Sequence, residues 1–286
     1  MDRVLKMYGA SIDACAGTRG ASDTPDRLVV NKWLEPLSLN FDKIFYYKDG
    51  RHDLSKLEAY FTEIAIATKH AVLKNEFPIV IGGDHSCAIG TWSGVAAGLC
   101  DQSKSMGLIW IDAHMDAHTP EDTISGNIHG MPVATLLGEG YSDLVNIFGD
   151  YTRIRAENTV LIGIRSYEET EKKRLERLGV KIYYTEEVNR RGFVHVFQEA
   201  WEKLSASVDK IGLSIDLDGF DPQFAPGVGT AEPDGIDFPD CMIALSKIDK
   251  ARLSGLEITE GNDHFDPSGK TMQCIVDILR EVTKVH

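Results

Sequence analysis

Short apolar runs recur along the chain, each closing on glycine or a charged residue, at residues 4–8, 77–81, 107–111, 159–164, 180–184, 211–215 and 256–258. Several are apolar at consecutive positions instead of alternate ones, the pattern of strands buried on both faces of a parallel sheet. Between them the period lengthens. Asp53 stands where a helix cap belongs, and Leu54, Leu57, Phe61, Ile64 and Thr68 follow at i, i+3, i+4 spacing. Residues 168–178, 193–204, 239–251 and 270–284 read as further helices. Strand and helix alternate from end to end, which predicts βαβ units, a parallel sheet and helices on both of its faces. No linker-like Pro/Gly/Ser tract, low-complexity segment or internal repeat breaks the pattern, so residues 1–286 read as a single domain.

Composition acts mainly by exclusion. The chain is 43% hydrophobic and 26% charged, ordinary for a globular protein, but 44 acidic against 30 basic residues leave a formal charge of −14. Such a field repels phosphate backbones and anionic lipid, which argues against nucleic-acid and membrane partners. No apolar run reaches the roughly 18 residues of a membrane span. The opening Met1-Asp2-Arg3-Val4-Leu5-Lys6 alternates charge with apolar residues instead of forming a secretory core, so a cytoplasmic location is expected. Cys15, Cys87, Cys100, Cys241 and Cys274 are odd in number and hold no CxxC pair. They read as buried thiols in a reducing compartment, not as a disulfide framework or zinc knot.

Three of the predicted strands run straight into polar sequence. One continues as Gly82-Gly83-Asp84-His85-Ser86, one as Asp112-Ala113-His114-Met115-Asp116-Ala117-His118, and one as Asp216-Leu217-Asp218-Gly219-Phe220-Asp221-Pro222. Ligands in open α/β sheets collect outside the carboxyl ends of the strands, so at least four aspartates and two histidines would share one small volume. Like charges raise one another's pKa and buried anions need partners, yet no Lys or Arg cluster appears within these segments. Divalent cations are the natural compensation. The four negative charges of the aspartates match two such ions, with a bridging hydroxide as the reactive excess charge.

Spacing supports two ions over one. An extended strand advances about 3.3 Å per residue, so Asp112 and Asp116 would lie ~13 Å apart unless the chain curls just after Ile111. Asp216 and Asp218 leave their strand end pointing the same way. Ions roughly 3.5–4 Å apart would let these groups chelate and bridge together. Ligation rich in oxygen, containing imidazole and lacking thiolate suits Mn²⁺ better than magnesium or zinc. Each motif has a duller reading alone: GGDH as a glycine turn before a helix cap, DLDGFDP as a calcium loop lacking the DxDxDG spacing. Their combination at three strand ends carries the chemistry.

With that combination the sequence resembles the ureohydrolase superfamily, and within it the arginases. Ser125-Gly126-Asn127-Ile128-His129-Gly130-Met131-Pro132 resembles the arginase segment and not its agmatinase counterpart, and the likeness extends from Gly17-Thr18-Arg19-Gly20-Ala21 to Leu256-Glu257-Ile258-Thr259-Glu260. The resemblance implies a three-layer α-β-α fold around a mostly parallel sheet of about eight strands. It implies that His85, Asp112, Asp116 and Asp216 bind one manganese with Asp218 helping to bridge, and that Asp112, His114, Asp216 and Asp218 bind the other. The implied reaction breaks a linear amidine C–N bond: a metal-bridging hydroxide attacks the guanidinium of L-arginine and yields L-ornithine and urea. Asp116 would carry a proton to the leaving amine, His129 would shuttle protons, Glu260 would pair with the guanidinium, and Thr230 would lie close by.

At the amino-acid end, the resemblance assigns the α-carboxylate to the segment 118–125, with His118, Thr123 and Ser125, and the α-amino group to Glu168 and Glu171. Arginases usually carry asparagine at the position of His118 and aspartate at that of Glu168. A homotrimer or homohexamer is implied as well. The runner-up is a hydrolase of agmatine, guanidinobutyrate or another guanidino or formimino compound. A deacetylase-like single-zinc design would not require His85 together with the whole DAHMD set, and a non-catalytic metal-binding protein would lack a ligand or the shuttle; none is missing. His52, His70, His195, His264 and His286 lie outside the motifs and read as structural or exposed.

Overall fold

The apolar runs form strands in the computed structural model, which describes residues 4–49, 53–149 and 154–284. They are β1 (Leu5–Ser11), β2 (Lys43–Tyr46), β3 (Phe77–Gly82), β4 (Met106–Ile111), β5 (Thr159–Ile164), β6 (Lys181–Tyr184), β7 (Lys210–Asp216) and β8 (Leu253–Thr259). All eight lie in one sheet in the order β2-β1-β3-β8-β7-β4-β5-β6, and every neighbouring pair is parallel. The last two strands of the chain therefore fill the centre, between β3 and β4. β2 was not anticipated. It is an edge strand on which only Phe45 is buried, so it carries no apolar run.

Alternate side chains of the inner strands enter different cores. Ile109 and Ile111 of β4 pack with Phe197, Trp201 and Leu279 from the helices Phe193–Ser207 and Lys270–Thr283, while Leu108 and Trp110 pack with Trp92 and Val95. Val80 of β3 likewise faces away from Ile79 and Ile81, toward Leu57, Phe61 and Ile64. Helices thus cover both faces, which is why the strands are apolar at consecutive positions. Among the described residues, no helix is long and apolar enough to cross a membrane.

The helix Leu54–Leu73 starts where expected, at Asp53, whose carboxylate accepts the N–H of Ser55 at 3.1 Å and of Lys56 at 3.3 Å. Its partner, the helix Ala88–Asp101, has no legible amphipathic face because it is buried almost throughout. A stripe of Gly90, Gly94 and Gly98 lets the two backbones touch. A Cβ on Gly94 would sit 2.1 Å from the Ala65 carbonyl oxygen, and one on Gly90 2.6 Å from that of Phe61. The helix expected over 239–251 ends earlier, spanning Phe238–Ser246, because Asp249 accepts the Ala251 N–H at 3.0 Å and caps a separate turn, Lys250–Arg252.

Four cysteines are buried, but Cys100 is exposed at the end of its helix, against the expectation of five buried thiols. His70, His195 and His264 are exposed, and His52 and His286 lie outside the described residues.

The glycine stripe is testable. An exchange of glycine for alanine inside a helix ordinarily stabilises by about 1 kcal/mol. At Gly94 the backbone contact reverses the sign, and Gly94→Ala should lower stability by about 1–3 kcal/mol, the range for overpacking. Urea unfolding of the two proteins measures this, and a stabilised variant would contradict the packing described.

Candidate metal centre

Four adjacent strands, β3, β8, β7 and β4, deliver polar side chains to one point beyond their carboxyl ends. At the exit of β3, a Cβ on Gly83 would lie 1.8 Å from the Ile12 carbonyl oxygen, so only glycine lets this turn press against the end of β1. There the N–H groups of Gly83 and Asp84 donate to Ala10 and Ile12, each at 2.8 Å. The Asp84 carboxylate accepts the N–H of Cys15 at 2.9 Å and of Ser86 at 3.1 Å, and the Ser86 hydroxyl as well. It braces the loop, and its task is to place the next residue, His85.

β4 ends at Ile111. Asp112 Oδ2 accepts from the Trp110 indole at 2.8 Å, and its Oδ1 accepts the His114 N–H at 2.7 Å. The curl that the Asp112–Asp116 spacing demanded is present, and it is completed by Asp116 in the left-handed region at φ 49°. As a result, Asp112 Oδ2 and Asp116 Oδ2 both lie 3.2 Å from His85 Nδ1. β7 stops at Asp216, whose Oδ1 accepts the Asp218 N–H at 2.8 Å within a single 3-10 turn. Asp216 Oδ2 is 2.9 Å from His85 Nδ1, and Asp218 Oδ2 is 3.2 Å from His114 Nδ1. Thr230 joins them by donating to Asp218 Oδ2 at 2.8 Å.

Two adjoining ligand sets result. His85, Asp112 and Asp216 form one, Asp112, His114 and Asp218 the other, and in each the donor atoms lie within 4.8 Å of one another. Asp112 belongs to both. The residues fit divalent cations on one further observation: His85 Nδ1 is buried without a hydrogen-bond partner while it faces three carboxylate oxygens. The ring is held from behind, with Nε2 at 3.0 Å from Ser214 Oγ and the ring stacked on Trp110 with centroids 4.0 Å apart. No thiol joins the sets; Cys87 Sγ donates to Glu257 at 3.7 Å instead.

The electrostatics match the geometry. Burial depresses the His85 imidazole, but its contacts with Asp112, Asp116 and Asp216 outweigh this and hold its pKa well above 6.5. His114 is raised in the same way by Asp218 and Asp112, again against burial. Burial, with the like charge of Asp112, pushes Asp116 up to about 6.

A cavity of about 280 Å³ opens above the two sets, with His114, Asp116, Asp216 and Asp218 on its inner wall. His129 and Glu260 close one side: His129 Nδ1 is 3.0 Å from Glu260 Oε1, which also accepts the His85 N–H at 2.9 Å. Against the effect of burial, Glu260 raises His129 to about 9. Glu260 itself has φ 62°, the second strained non-glycine backbone at the centre after Asp116.

The outer wall carries His118, Ser125 and Glu168, all expected there, together with Asn127 and Ser166, which were not assigned, while Thr230 lines the cavity further in, beside Asp218. Asn127 belongs to the segment that carried the resemblance; Ser166 follows β5 and has no sequence signal. Thr123 does not line the cavity, since its hydroxyl accepts the Gly126 N–H at 3.1 Å. Glu171 does line it; its carboxylate accepts the N–H of Ala117 at 3.0 Å and of Glu168 at 2.9 Å, and Oε2 lies 3.4 Å from His118 Nε2. His118 Nε2 lies 2.8 Å from Glu168 Oε2, so the two residues that depart from the arginase pattern contact each other. Arg174 ties this loop to its helix, donating to the Ala117 carbonyl at 2.7 Å and to Asp122 at 2.6 Å.

Arg165, beyond β5, is a supporting residue that the sequence did not reveal. Its guanidinium donates to the carbonyls of Asp218 at 2.7 Å, Glu232 at 2.9 Å, Gly163 at 3.1 Å and Gly219 at 3.2 Å. One side chain thus clamps the turn that carries Asp218.

The chain is similar to known arginases in sequence and in fold. The model of the Arginase family matches residues 4–284. The chain is 36% identical to the arginase of Bacillus subtilis over 98% of both chains. It is 41% identical to the arginase of Bacillus caldovelox over 76% of this chain and 72% of that one. A crystal structure of the Bacillus subtilis arginase superposes with a TM-score of 0.91 at 34% identity, covering 100% of this chain and 99% of that one.

Replacing the Arg165 clamp by Arg165→Met should leave several carbonyls without their donor. A loss of about 2–3 kcal/mol in stability is expected, together with a ten- to hundredfold weaker hold on divalent ions. Thermal melting and metal content after dialysis measure the two effects; wild-type values of both would remove Arg165 from this role.

Proposed function

The chain belongs to the arginase family of hydrolases, and on that premise we propose that it hydrolyses L-arginine to L-ornithine and urea using two manganese ions. One observation supports this reading above the others: two His/Asp sets share Asp112 at the floor of a cavity whose wall pairs His129 with Glu260. His85, Asp112, Asp116 and Asp216 would hold one ion, and Asp112, His114, Asp216 and Asp218 the other. When bound, the ions supply Lewis acidity and a water-derived nucleophile near neutral pH.

The protein's own residues do the rest. The Glu260 carboxylate, buried and facing the cavity, receives the positive guanidinium and sets its carbon above the ligand sets. Asp116 takes a proton from the attacking water and returns it to the departing amine. His129, partly exposed on the cavity wall, moves protons between this interior and solvent. Thr230 keeps the Asp218 carboxylate in place by its hydrogen bond. At the outer end His118 and Ser125 meet the α-carboxylate and Glu168 the α-amino group, with Glu171 fixing the position of Glu168 through backbone. The chain acts in the cytoplasm, as a single domain within a homotrimer or homohexamer.

A second reading rests on the contact of His118 with Glu168 at 2.8 Å, where the family usually has asparagine and aspartate. It takes agmatine or guanidinobutyrate as substrate, since these lack one of the two α-substituents that the pair would meet.

Protein reconstituted with Mn²⁺ should release urea from L-arginine faster than from agmatine or guanidinobutyrate. Turnover of agmatine without turnover of arginine would replace the first reading by the second. Asp112→Ala and Asp218→Ala should each lower both manganese retention and activity by more than about a hundredfold, beyond what the loss of an outer-sphere partner does. Near-normal turnover in either variant would mean the metal centre lies elsewhere.

A further inference from the structure

Glu257 takes no part in the reaction outlined above, yet it is wholly buried on β8, in register with Val80 of β3 and Ser214 of β7. Among the described residues only His85 comes within ion-pair distance of it, with Nε2 4.0 Å from Oε2. Burial of a carboxylate without a Lys or Arg partner costs several kcal/mol, so its retention at the centre of the sheet calls for a reason.

The hydrogen bonds around it run in one direction only. Oε2 receives the Trp92 indole N–H at 2.9 Å and the Ser214 hydroxyl at 2.7 Å, and Oε1 receives the Cys87 thiol at 3.7 Å. An indole N–H can only donate, and a serine hydroxyl has a single hydrogen. Once that hydrogen points to Glu257, Ser214 Oγ can only accept from His85 Nε2, 3.0 Å away. In the neutral ring, the form that ligates a cation, the proton therefore resides on Nε2, and Nδ1 is the nitrogen left free to bind where it faces Asp112, Asp116 and Asp216. This is the tautomer in which a histidine ligates a metal through Nδ1.

His114 lacks such backing. Its Nε2 faces Glu232 Oε1 at 3.9 Å, and both side chains are partly exposed, at 25% and 36%. The two ligand sets therefore differ in how their histidines are held.

We propose that Glu257 is a positioning residue for one of the two metal ions: through Ser214 it fixes the His85 tautomer and strengthens Nδ1 as a donor, while the ion on the His114 side is independent of it. This rests on the dinuclear reading above. The chain Glu257–Ser214–His85 is an outer-sphere carboxylate relay, of the kind whose loss weakens metal binding ten- to a hundredfold.

The test is a Mn²⁺ titration of the full chain, with free ion followed by electron paramagnetic resonance. Wild type, Glu257→Gln, Ser214→Ala and, for the other histidine, Glu232→Gln are compared, alongside the melting temperature of each metal-free protein. Wild type should bind two ions per chain. Glu257→Gln and Ser214→Ala should each weaken one ion by about ten- to a hundredfold and leave the second unchanged, and Glu232→Gln should not reproduce that loss. Two ions bound with wild-type affinity in both variants would overturn the proposal. So would equal weakening of both ions with a lowered metal-free melting temperature, which would make Glu257 a packing residue only. Failure of the dinuclear reading would appear separately, as fewer than two ions on the wild type; the affinity of the remaining ion in the variants then still decides the role of Glu257.

Discussion

Asp112, Asp116, Asp216 and Asp218 are buried within one small volume, and the mutual repulsion of their carboxylates is the constraint to which the rest of the structure answers. Each such group loses several kcal/mol of hydration on burial, and each raises the free energy of the next. Positive and polar groups converge to offset this: His85 and His114 from within, Arg165 from the end of β5, and divalent ions in the proposed function. The backbone joins in through a repeated local device. An aspartate at the end of an element accepts the N–H two residues ahead and starts a single 3-10 turn, once at Asp84 to present His85 and again at Asp216 to present Asp218. Ligand placement is thereby built into the strand ends, which packing holds rigid.

The outer wall of the cavity is made differently. His118, Ser125 and Glu168 come from a loop and a helix start, and their order depends on side-chain bonds to Arg174, Asp122 and Glu171. The inner centre sits where backbones meet at distances only glycine permits, as at Gly83. Chemistry thus rests on the least deformable part of the molecule, and the choice of substrate on a part whose residues exchange without disturbing the sheet.

What was legible in the sequence follows the same division. The parallel sheet was readable because its inner strands are apolar on both faces, while β2, with Phe45 alone buried, offered no run to read. The helix Ala88–Asp101 was hidden by the glycines that let it pack so closely. The ligands were readable because each motif is contiguous. The means that bring them together were not, since they depend on a positive φ at Asp116 and on neighbours remote in sequence. Arg165 reaches Asp218 across 53 residues, and Ser214 reaches Glu257 across 43 only because β7 and β8 are adjacent. The resemblance assigned Thr123 and Glu171 to the substrate's amino-acid end; in the fold their oxygens also accept nearby backbone N–H groups, which a motif does not reveal.

The strand order has a kinetic side. β3 and β4 precede β7 and β8 along the chain, yet in the finished sheet those later strands lie between them. A nascent chain up to about residue 209 holds His85, Asp112 and His114 but neither Asp216 nor Asp218, and β3 and β4 still lack their shared neighbours. The central gap closes only by long-range pairing of parallel strands, which is intrinsically slow to form. Completion of the sheet and completion of the ligand sets are one event, since both wait for β7 and the aspartates at its end.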